Sequence, residues 1–171
     1  MKKFISMIAA IILIIYIGIK VDVEKLYPER DELTNIYVMA LEDETYLLKI
    51  RGQVQDVLDQ HRSSIFKKDP VQYMANLSKG YQDYQDDRLR DYGIVKDEIE
   101  AELRNQEYHQ LSYQIQLLYP TTQGILVRAE KQYDLKSGKS SVSKRLIEDF
   151  WFIREEGTWK IRGIRTVSTL I

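Results

Sequence analysis

The spacing of apolar residues predicts three helices in the first two thirds of the chain. Between Glu29 and Phe66 apolar residues recur every three or four positions, which indicates a helix in one piece or two. In KKDPVQYMANLSKG, Asp69 suits a helix N-cap, Pro70 the first turn and Gly80 a left-handed end. The third helix is predicted in GIVKDEIEAELRNQ, whose apolar stripe consists of Val95, Ile99 and Leu103.

From His109 onward the apolar period changes to two, which is the pattern of half-buried strands. The first strand, His109 to Tyr119, has Leu111, Tyr113, Ile115 and Leu117 on one side. The turns PTTQG, KSGKS and EEGT then separate three more strands, the last two beginning near Val142 and Trp159. The pattern predicts an α+β fold in which about three helices pack on a curved, four-stranded antiparallel sheet.

The last predicted hairpin, EDFWFIREEGTWKIRGI, is unusual because Phe150 to Ile153 are all apolar. Side chains alternate across a strand, so both faces of this strand are apolar. A turn centred on Glu156 and Gly157 places Phe152 opposite Ile161 on the side that we expect to face the core.

The same register places Trp151 opposite Arg162 on the outer face, where the two side chains can stack. We predict that this face binds a protein partner or a second copy of the chain, because apolar residues around one tryptophan and one arginine are typical of an interface. The alternative is a solvated face on which Lys and Arg stems cover the tryptophan. The predicted partner-binding set is Ile147, Trp151, Ile153, Arg162 and Ile164.

The N-terminus is predicted to be an uncleaved transmembrane signal anchor, residues 1–21. Its apolar run from Phe4 to Ile19 would span roughly 24 Å as a helix, a little short of a ~30 Å hydrocarbon core, and flanking lysines can make up the difference. A cleaved signal peptide is the alternative, but a cut after Gly18 would leave Tyr16 at the −3 position, which favours small residues. We expect a helical juxtamembrane stalk over residues 22–43 and a single-pass cell-membrane protein whose body lies outside the cytoplasm.

Composition narrows the possible chemistry of the body. The 171 residues include no cysteine, which excludes disulfides, thiolate catalysis and cysteine-based metal sites. Beyond residue 21 the chain carries 22 basic and 26 acidic residues without a basic run, so we expect no nucleic-acid partner.

Three segments carry a resemblance to a known superfamily. DVLDQHRSSIFKKDPVQYMANLSKGYQDY resembles the opening of the nuclear transport factor 2-like superfamily, GIVKDEIEAEL its third helix and FWFIREEGTWKI its closing hairpin. The resemblance covers Thr45 to Val167 and implies a cone-shaped α+β domain over residues 44–171. Its members include isomerases, dehydratases, binding modules and scaffolds, so the fold alone does not give the function. An anchor ahead of such a domain also resembles the bitopic assembly subunits of type IV secretion and conjugation systems.

The resemblance implies a possible pocket between the helices and the concave sheet face, with Tyr113, Tyr133 and Glu148 at its wall. Isomerase or dehydratase chemistry needs a carboxylate or histidine base beside a tyrosine or acid donor, and Glu148 with Tyr113 is such a pair. The alternative is that Glu148 lies near the rim and the tyrosines only pack. We assign no catalytic residue, cofactor or metal.

Two other features have a structural interpretation and a functional one. The acidic segment GYQDYQDDRLRDYG is predicted to be a solvated loop or helix edge with local ion pairs from Arg88 and Arg90, rather than a calcium site. His61 lies on the apolar stripe of the first helix and is predicted to be a core histidine. Our first hypothesis is therefore a non-enzymatic, membrane-anchored interaction or scaffold domain of an envelope assembly. The alternative is a small-ligand binder or an isomerase- or dehydratase-like enzyme.

Overall fold

The computed structural model describes residues 43–85, 88–137 and 140–170. The predicted anchor, and the predicted stalk except for its last residue, lie outside the described residues. Within the described ranges, no helix has the length and apolar character needed to cross a membrane.

The described part of the chain contains three helices: α1 (Glu44–Lys67), α2 (Pro70–Ala75) and α3 (Tyr92–Asn105). Each begins at an aspartate whose carboxylate accepts a hydrogen bond from a backbone N–H of the first turn. The helix α1 lies inside the stretch from Glu29 to Phe66 that was predicted to be helical, apart from its last residue Lys67. The predicted caps Asp69 and Pro70 are also confirmed.

Within the described residues the sheet has six strands rather than the four that the sequence predicted. They are β1 (Leu77–Gln85), β2 (Arg88–Asp91), β3 (Glu107–Thr121), β4 (Gly124–Ser137), β5 (Ser140–Glu155) and β6 (Thr158–Leu170). Their order is β2-β1-β6-β5-β4-β3, with β1 parallel to β6 and the other pairs antiparallel. The predicted meander is therefore confirmed as β3 to β6, and β1 and β2 extend it at one edge.

The prediction that Gly80 ends a helix was wrong, because α2 stops at Ala75 and Gly80 lies inside β1. A Cβ here would overlap the guanidinium of Arg162 on the neighbouring strand β6, which is the end of a flexible, exposed side chain. The segment predicted to be an acidic loop or helix edge therefore contributes a two-stranded hairpin.

The core lies between α1 and the inner face of the sheet. Ile50, Val54 and Leu58 of α1 are at most 1% exposed, as are Phe150 and Phe152 of β5. The predicted pairing of Phe152 with Ile161 is confirmed, and nearer the turn Arg154 pairs with Trp159. The predicted core face of the last hairpin is therefore the inner face.

Beyond that point a β-bulge changes the register of β5 and β6. Trp151 pairs with Gly163 while Phe152 pairs with Ile161, so Arg162 is the extra residue of the bulge. The predicted pairing of Trp151 with Arg162 was therefore wrong. The same shift places Ile164 opposite Phe150, where it packs against the core rather than lying on the outer face.

Candidate functional site: a polar cavity inside the cone

A cavity of about 440 Å³ lies between the helices and the inner face of the sheet, a volume in the range of small-ligand sites. Every helix and strand contributes to its wall. The most frequent lining residue is tyrosine: Tyr73, Tyr81, Tyr84, Tyr108, Tyr113 and Tyr133. Three residues were predicted to lie at a pocket, and all of them are at this wall: Tyr113, Tyr133 and Glu148.

Glu148 lies at the wall rather than at a solvated rim, since the residue is only 5% exposed. Its Oε1 accepts a hydrogen bond of 3.3 Å from Nζ of Lys131 on the neighbouring strand β4. Burial, and after it the charge of Glu148, raises the pKa of the Tyr113 hydroxyl well above its usual value of 10. Tyr113 is therefore protonated at neutral pH and has a hydroxyl hydrogen to donate.

A second ion-pair cluster joins the β1–β2 hairpin to α3. The Arg90 guanidinium donates from Nε and Nη2 to the two carboxylate oxygens of Asp83, at 3.0 and 2.8 Å, and from Nη1 to Glu102 at 2.7 Å. Tyr81 adds a hydroxyl bond to the same Asp83 carboxylate at 2.9 Å. Because the donors of Arg90 are spread over two carboxylates, this cluster fixes the hairpin as one wall of the cavity.

His61 has the one fully buried side-chain polar atom that lacks a hydrogen-bond partner among the residues that the structure describes. It is 3% exposed, and its Nδ1 has no hydrogen-bond partner there. Its ring lies 4.5 Å from the ring of Tyr73 and 6.3 Å from that of Tyr113, measured between centroids. Burial, with a smaller contribution from the charge of Lys131, lowers the pKa of His61 from 6.5 to about 3, so the imidazole is neutral at physiological pH.

The predicted partner-binding residues are divided between different places. Trp151 is 40% exposed on the outer face, and Ile147 and Ile153, which share its side of β5, are partly exposed. Arg162 lies over Gly80, and Ile164 lines the cavity. The bulge at Arg162 is the physical reason for this division.

The outer face contains an apolar row that the sequence analysis missed. Tyr119 of β3 pairs with Leu126 of β4, and Leu126 pairs with Trp151 of β5. Tyr119 is 48% exposed, so the row, which we call the outer row (Tyr119, Leu126 and Trp151), is open to solvent. Alternation along β3 would place Tyr119 and Leu117 on the inner side with Leu111. A β-bulge between Ile115 and Leu117 turns both to the outer face, so the periodic pattern could not place the three side chains of the row together.

A buried carboxylate lies beside this row. Asp149 of β5 is 4% exposed and accepts hydrogen bonds from Nε and Nη2 of Arg128 at 2.8 and 3.0 Å, and from Nη2 of Arg165 at 3.2 Å. The hydrogen bond from Arg128 is the largest cause of the lowered pKa of Asp149, and burial opposes it. The outer face is therefore held in register by charge as well as by backbone pairing.

Comparison with known proteins identifies the fold. No family model and no curated protein matches the chain. A nuclear transport factor 2-like protein from Cytophaga hutchinsonii is similar in structure with a TM-score of 0.60 and 8% identity, over 69% of this chain and 97% of that one.

Two further solved structures have the same fold. A domain from Exiguobacterium sibiricum assigned as a Ca/calmodulin-dependent kinase II association domain has a TM-score of 0.59 and 13% identity, over 71% of this chain and 93% of that one. A protein from Streptomyces avermitilis assigned as a dehydratase of the nuclear transport factor 2-like family has a TM-score of 0.57 and 11% identity, over 70% and 96%. At these identities the likeness shows the fold alone.

Proposed function

We propose, starting from this nuclear transport factor 2-like fold, that the domain binds a small organic molecule in the cavity inside the cone. The observation that carries the proposal is the position of His61. This residue lies at the wall of a 440 Å³ cavity, and its buried Nδ1 has no hydrogen-bond partner among the described residues. A filled cone would have favoured a scaffold function alone. The open cavity favours the ligand-binding alternative of the sequence analysis.

The arrangement supports binding more directly than catalysis. All three carboxylates at the wall, Asp83, Glu102 and Glu148, are engaged by Arg90 or Lys131. A carboxylate that serves as a general base has to present an oxygen to the proton of the substrate, and these cations already occupy oxygens of all three carboxylates. We therefore propose a binding site and assign no catalytic residue.

The test is to obstruct the cavity without altering its floor. Thr166 is exposed and lies at the cavity wall, whereas Thr169, three residues further along β6, is exposed and is not among the residues that line the cavity. Thr166→Trp should weaken binding of a ligand found by screening the full chain against a library of small polar molecules by at least ~10-fold, or about 1.4 kcal/mol. Thr169→Trp, the matched control, should leave the affinity unchanged. Equal affinities in the two variants would contradict the proposal.

A second candidate function, docking of a protein partner or a second copy on the outer face, is favoured by the outer row. Tyr119 and Trp151 are both exposed, and tyrosine and tryptophan are the residue types that most often dominate binding energy at interfaces. We propose with it that residues 1–21 anchor the domain in the cell membrane and that the domain lies outside the cytoplasm. Such a protein would suit an envelope assembly of the secretion or conjugation type.

Docking is tested by removing the apolar side chains around the centre of the row. Trp151→Ala with Ile153→Ser should leave the domain folded, since both side chains lie on the outer face, and should weaken self-association or partner capture by at least ~2 kcal/mol. Sedimentation of the full chain measures self-association, and pull-down from membranes measures partner capture. Val71→Ala is the control, because Val71 is 78% exposed on α2, away from the sheet. Unchanged association in the double variant would remove this candidate.

A further inference from the structure

We propose that a second cavity of the domain binds a free α-amino acid, whose ammonium group contacts Asp56 and whose carboxylate contacts Lys160. This cavity has a volume of about 340 Å³ and lies between α1, the end of α2 and the turn that joins β5 to β6. We call it the end groove, and Gln60, Gln72 and Trp159 are among its other lining residues. It shares no lining residue with the cavity inside the cone, so the inference goes beyond the proposed function and does not depend on it.

Contacts within the fold hold the walls of the end groove at a fixed separation. Two lining residues, Val57 of α1 and Trp159 of β6, are buried. The indole Nε1 of Trp159 donates a hydrogen bond of 3.0 Å to Oε1 of Gln53, which also lines the groove. Because this bond joins β6 to α1, the start of the last strand is fixed against the first helix. The space between them is therefore part of the folded domain.

Helix α1 contributes a carboxylate to one side of the groove. Gln53, Asp56 and Gln60 are spaced three and four residues apart, so they lie on one face of the helix. All three are exposed, and the Asp56 carboxylate has no hydrogen bond or ion pair among the residues that the structure describes. Asp56 is therefore a negative charge at the groove that is available to a ligand.

Strand β6 contributes a cation to the other side. Nζ of Lys160 donates a hydrogen bond of 2.6 Å to the backbone oxygen of Ala75, the last residue of α2, and both residues line the groove. An ammonium group has three hydrogens to donate, so this bond leaves the others available. Within the described ranges no carboxylate pairs with Lys160. The bond to Ala75 therefore places the ammonium group at the groove and leaves its charge without a counterion there.

The two opposite charges line one groove and do not pair with each other in the described structure. A ligand that fills the groove displaces water from both groups, and a charged group that loses its water without gaining a partner is unfavourable. A ligand with one positive and one negative group gives a partner to each. Hydrogen bonds between charged groups are roughly twice as strong as those between neutral ones. A zwitterion therefore suits the groove better than a neutral molecule or an ion of one sign.

The volume and the remaining wall indicate an amino acid with a polar side chain. A volume of about 340 Å³ is near the lower end of the range of small-ligand sites, roughly 300–1,000 Å³, so the zwitterion is a small one. Four side-chain amides line the groove, and each of them can both donate and accept hydrogen bonds: Gln53, Gln60, Gln72 and Asn76. A free amino acid carries both charges on a small frame, and its side chain can contact these amides.

The first test adds each of the common amino acids to the full chain in detergent micelles and measures binding by equilibrium dialysis, with micelles without protein as the blank. The amino acid that binds most tightly is then compared with its N-acetyl derivative, which lacks the ammonium group, and with its amide, which lacks the carboxylate. We expect the amino acid to bind at least ~10-fold more tightly than either derivative. A derivative that binds as tightly as the amino acid, or no binding by any amino acid, would overturn the inference.

Two variants separate the contributions of the two charges. In Asp56→Asn we expect the amino acid and its N-acetyl derivative to bind within about 3-fold of one another, while the preference over the amide stays. In Lys160→Gln we expect the reverse. Asp59→Asn and Lys96→Gln remove charges outside the groove, so these matched controls should keep both preferences. Both preferences kept in Asp56→Asn or in Lys160→Gln would overturn the role of that side chain.

The cavity inside the cone is the other place where an amino acid can bind, and Thr166→Trp distinguishes the two. This variant obstructs the cone and leaves the end groove intact, so the affinity for the amino acid should stay unchanged. A loss of affinity in Thr166→Trp, with no loss in Asp56→Asn, would assign the ligand to the cone and overturn the inference. The comparison of the amino acid with its two derivatives on the unmodified chain stays decisive if a variant does not fold.

Discussion

Two buried polar side chains of this domain, Asp149 and His61, differ in one respect. Asp149 is 4% exposed and accepts three hydrogen bonds from two arginines, whereas His61 is 3% exposed and has an Nδ1 without a partner among the described residues. The fold therefore contributes every partner that Asp149 needs and leaves one position at His61 open. We infer that Asp149 serves the structure and that His61 serves a ligand.

The largest expected effect is on the pH dependence of the free energy of unfolding, to which the two side chains contribute in different pH ranges. Because the pKa of His61 falls from 6.5 to about 3 on folding, the unfolded chain binds a proton between these values that the folded chain does not. Stability is therefore lost as the pH falls below about 6.5. From pH 7 to pH 4 this contribution is on the order of 3 kcal/mol.

The measurement is equilibrium urea unfolding of the full chain and of His61→Phe at both pH values. The variant lacks the titrating imidazole. Between pH 7 and pH 4 it should therefore lose about 3 kcal/mol less stability than the unmodified chain. The lowered pKa of Asp149 also produces a loss at low pH, but below about 4 and equally in both proteins. Parallel losses in the two proteins would show that His61 does not hold this buried, neutral state.

The second effect concerns Asp149, the buried side chain whose hydrogen-bond partners are present in the fold. Asp149→Asn keeps the shape but removes the charge that Arg128 and Arg165 contact, and we expect a loss of about 2 kcal/mol in the free energy of unfolding. The expected loss is modest because the Arg165 side chain is 76% exposed, so solvent screens its attraction to Asp149. Asp59→Asn is the matched control. Asp59 pairs with Arg62 at 3.5 Å on the surface, and its loss should cost less than about 0.5 kcal/mol. Equal costs at the two sites would mean that the Asp149 network is an ordinary surface ion pair.

The smallest effect has the opposite sign. At pH 7, where His61 is neutral, His61→Phe removes an unpaired buried nitrogen, and we expect the domain to become more stable by about 1 kcal/mol. His109→Phe, at an exposed position of β3, should change stability by less than about 0.5 kcal/mol. A clear loss of stability in His61→Phe would indicate that the imidazole makes a contact the fold needs.

The sequence allowed prediction wherever the pattern depends on near neighbours. Alternation and the turn at Gly157 were enough to pair Phe152 with Ile161, because only the turn lies between them. One residue later the predicted pairing of Trp151 with Arg162 was wrong. The β-bulge at Arg162 shifts the register there, and a bulge has no periodic signature in the sequence. Strand β1 was missed for a related reason: it pairs in parallel with β6, about eighty residues further along the chain, and no local pattern reports such a pairing.

The candidate site was predicted in part. The alternation of β3, β4 and β5 placed Tyr113, Tyr133 and Glu148 on one face, and the same alternation would have included Lys131, two residues before Tyr133. The position of His61 on an apolar stripe correctly indicated that it is buried. That its Nδ1 is unpaired depends on the absence of a donor or acceptor within reach on the neighbouring described helices and strands, and a sequence pattern does not show this.

The most direct test of the central claim, that the buried neutral His61 lies at a ligand-binding cavity, is a two-bond ¹H–¹⁵N spectrum of the full chain labelled with ¹⁵N-histidine. The chain has two histidines, so His61 and the exposed His109 give the only imidazole signals, and the spectrum reports the protonation and hydrogen bonding of each nitrogen. We predict that the His61 imidazole is neutral at pH 5, and that a cavity ligand found by screening shifts the His61 resonances while His109 stays unchanged. A His61 signal that is protonated at pH 5, or that such a ligand at saturation leaves in place, would contradict the account.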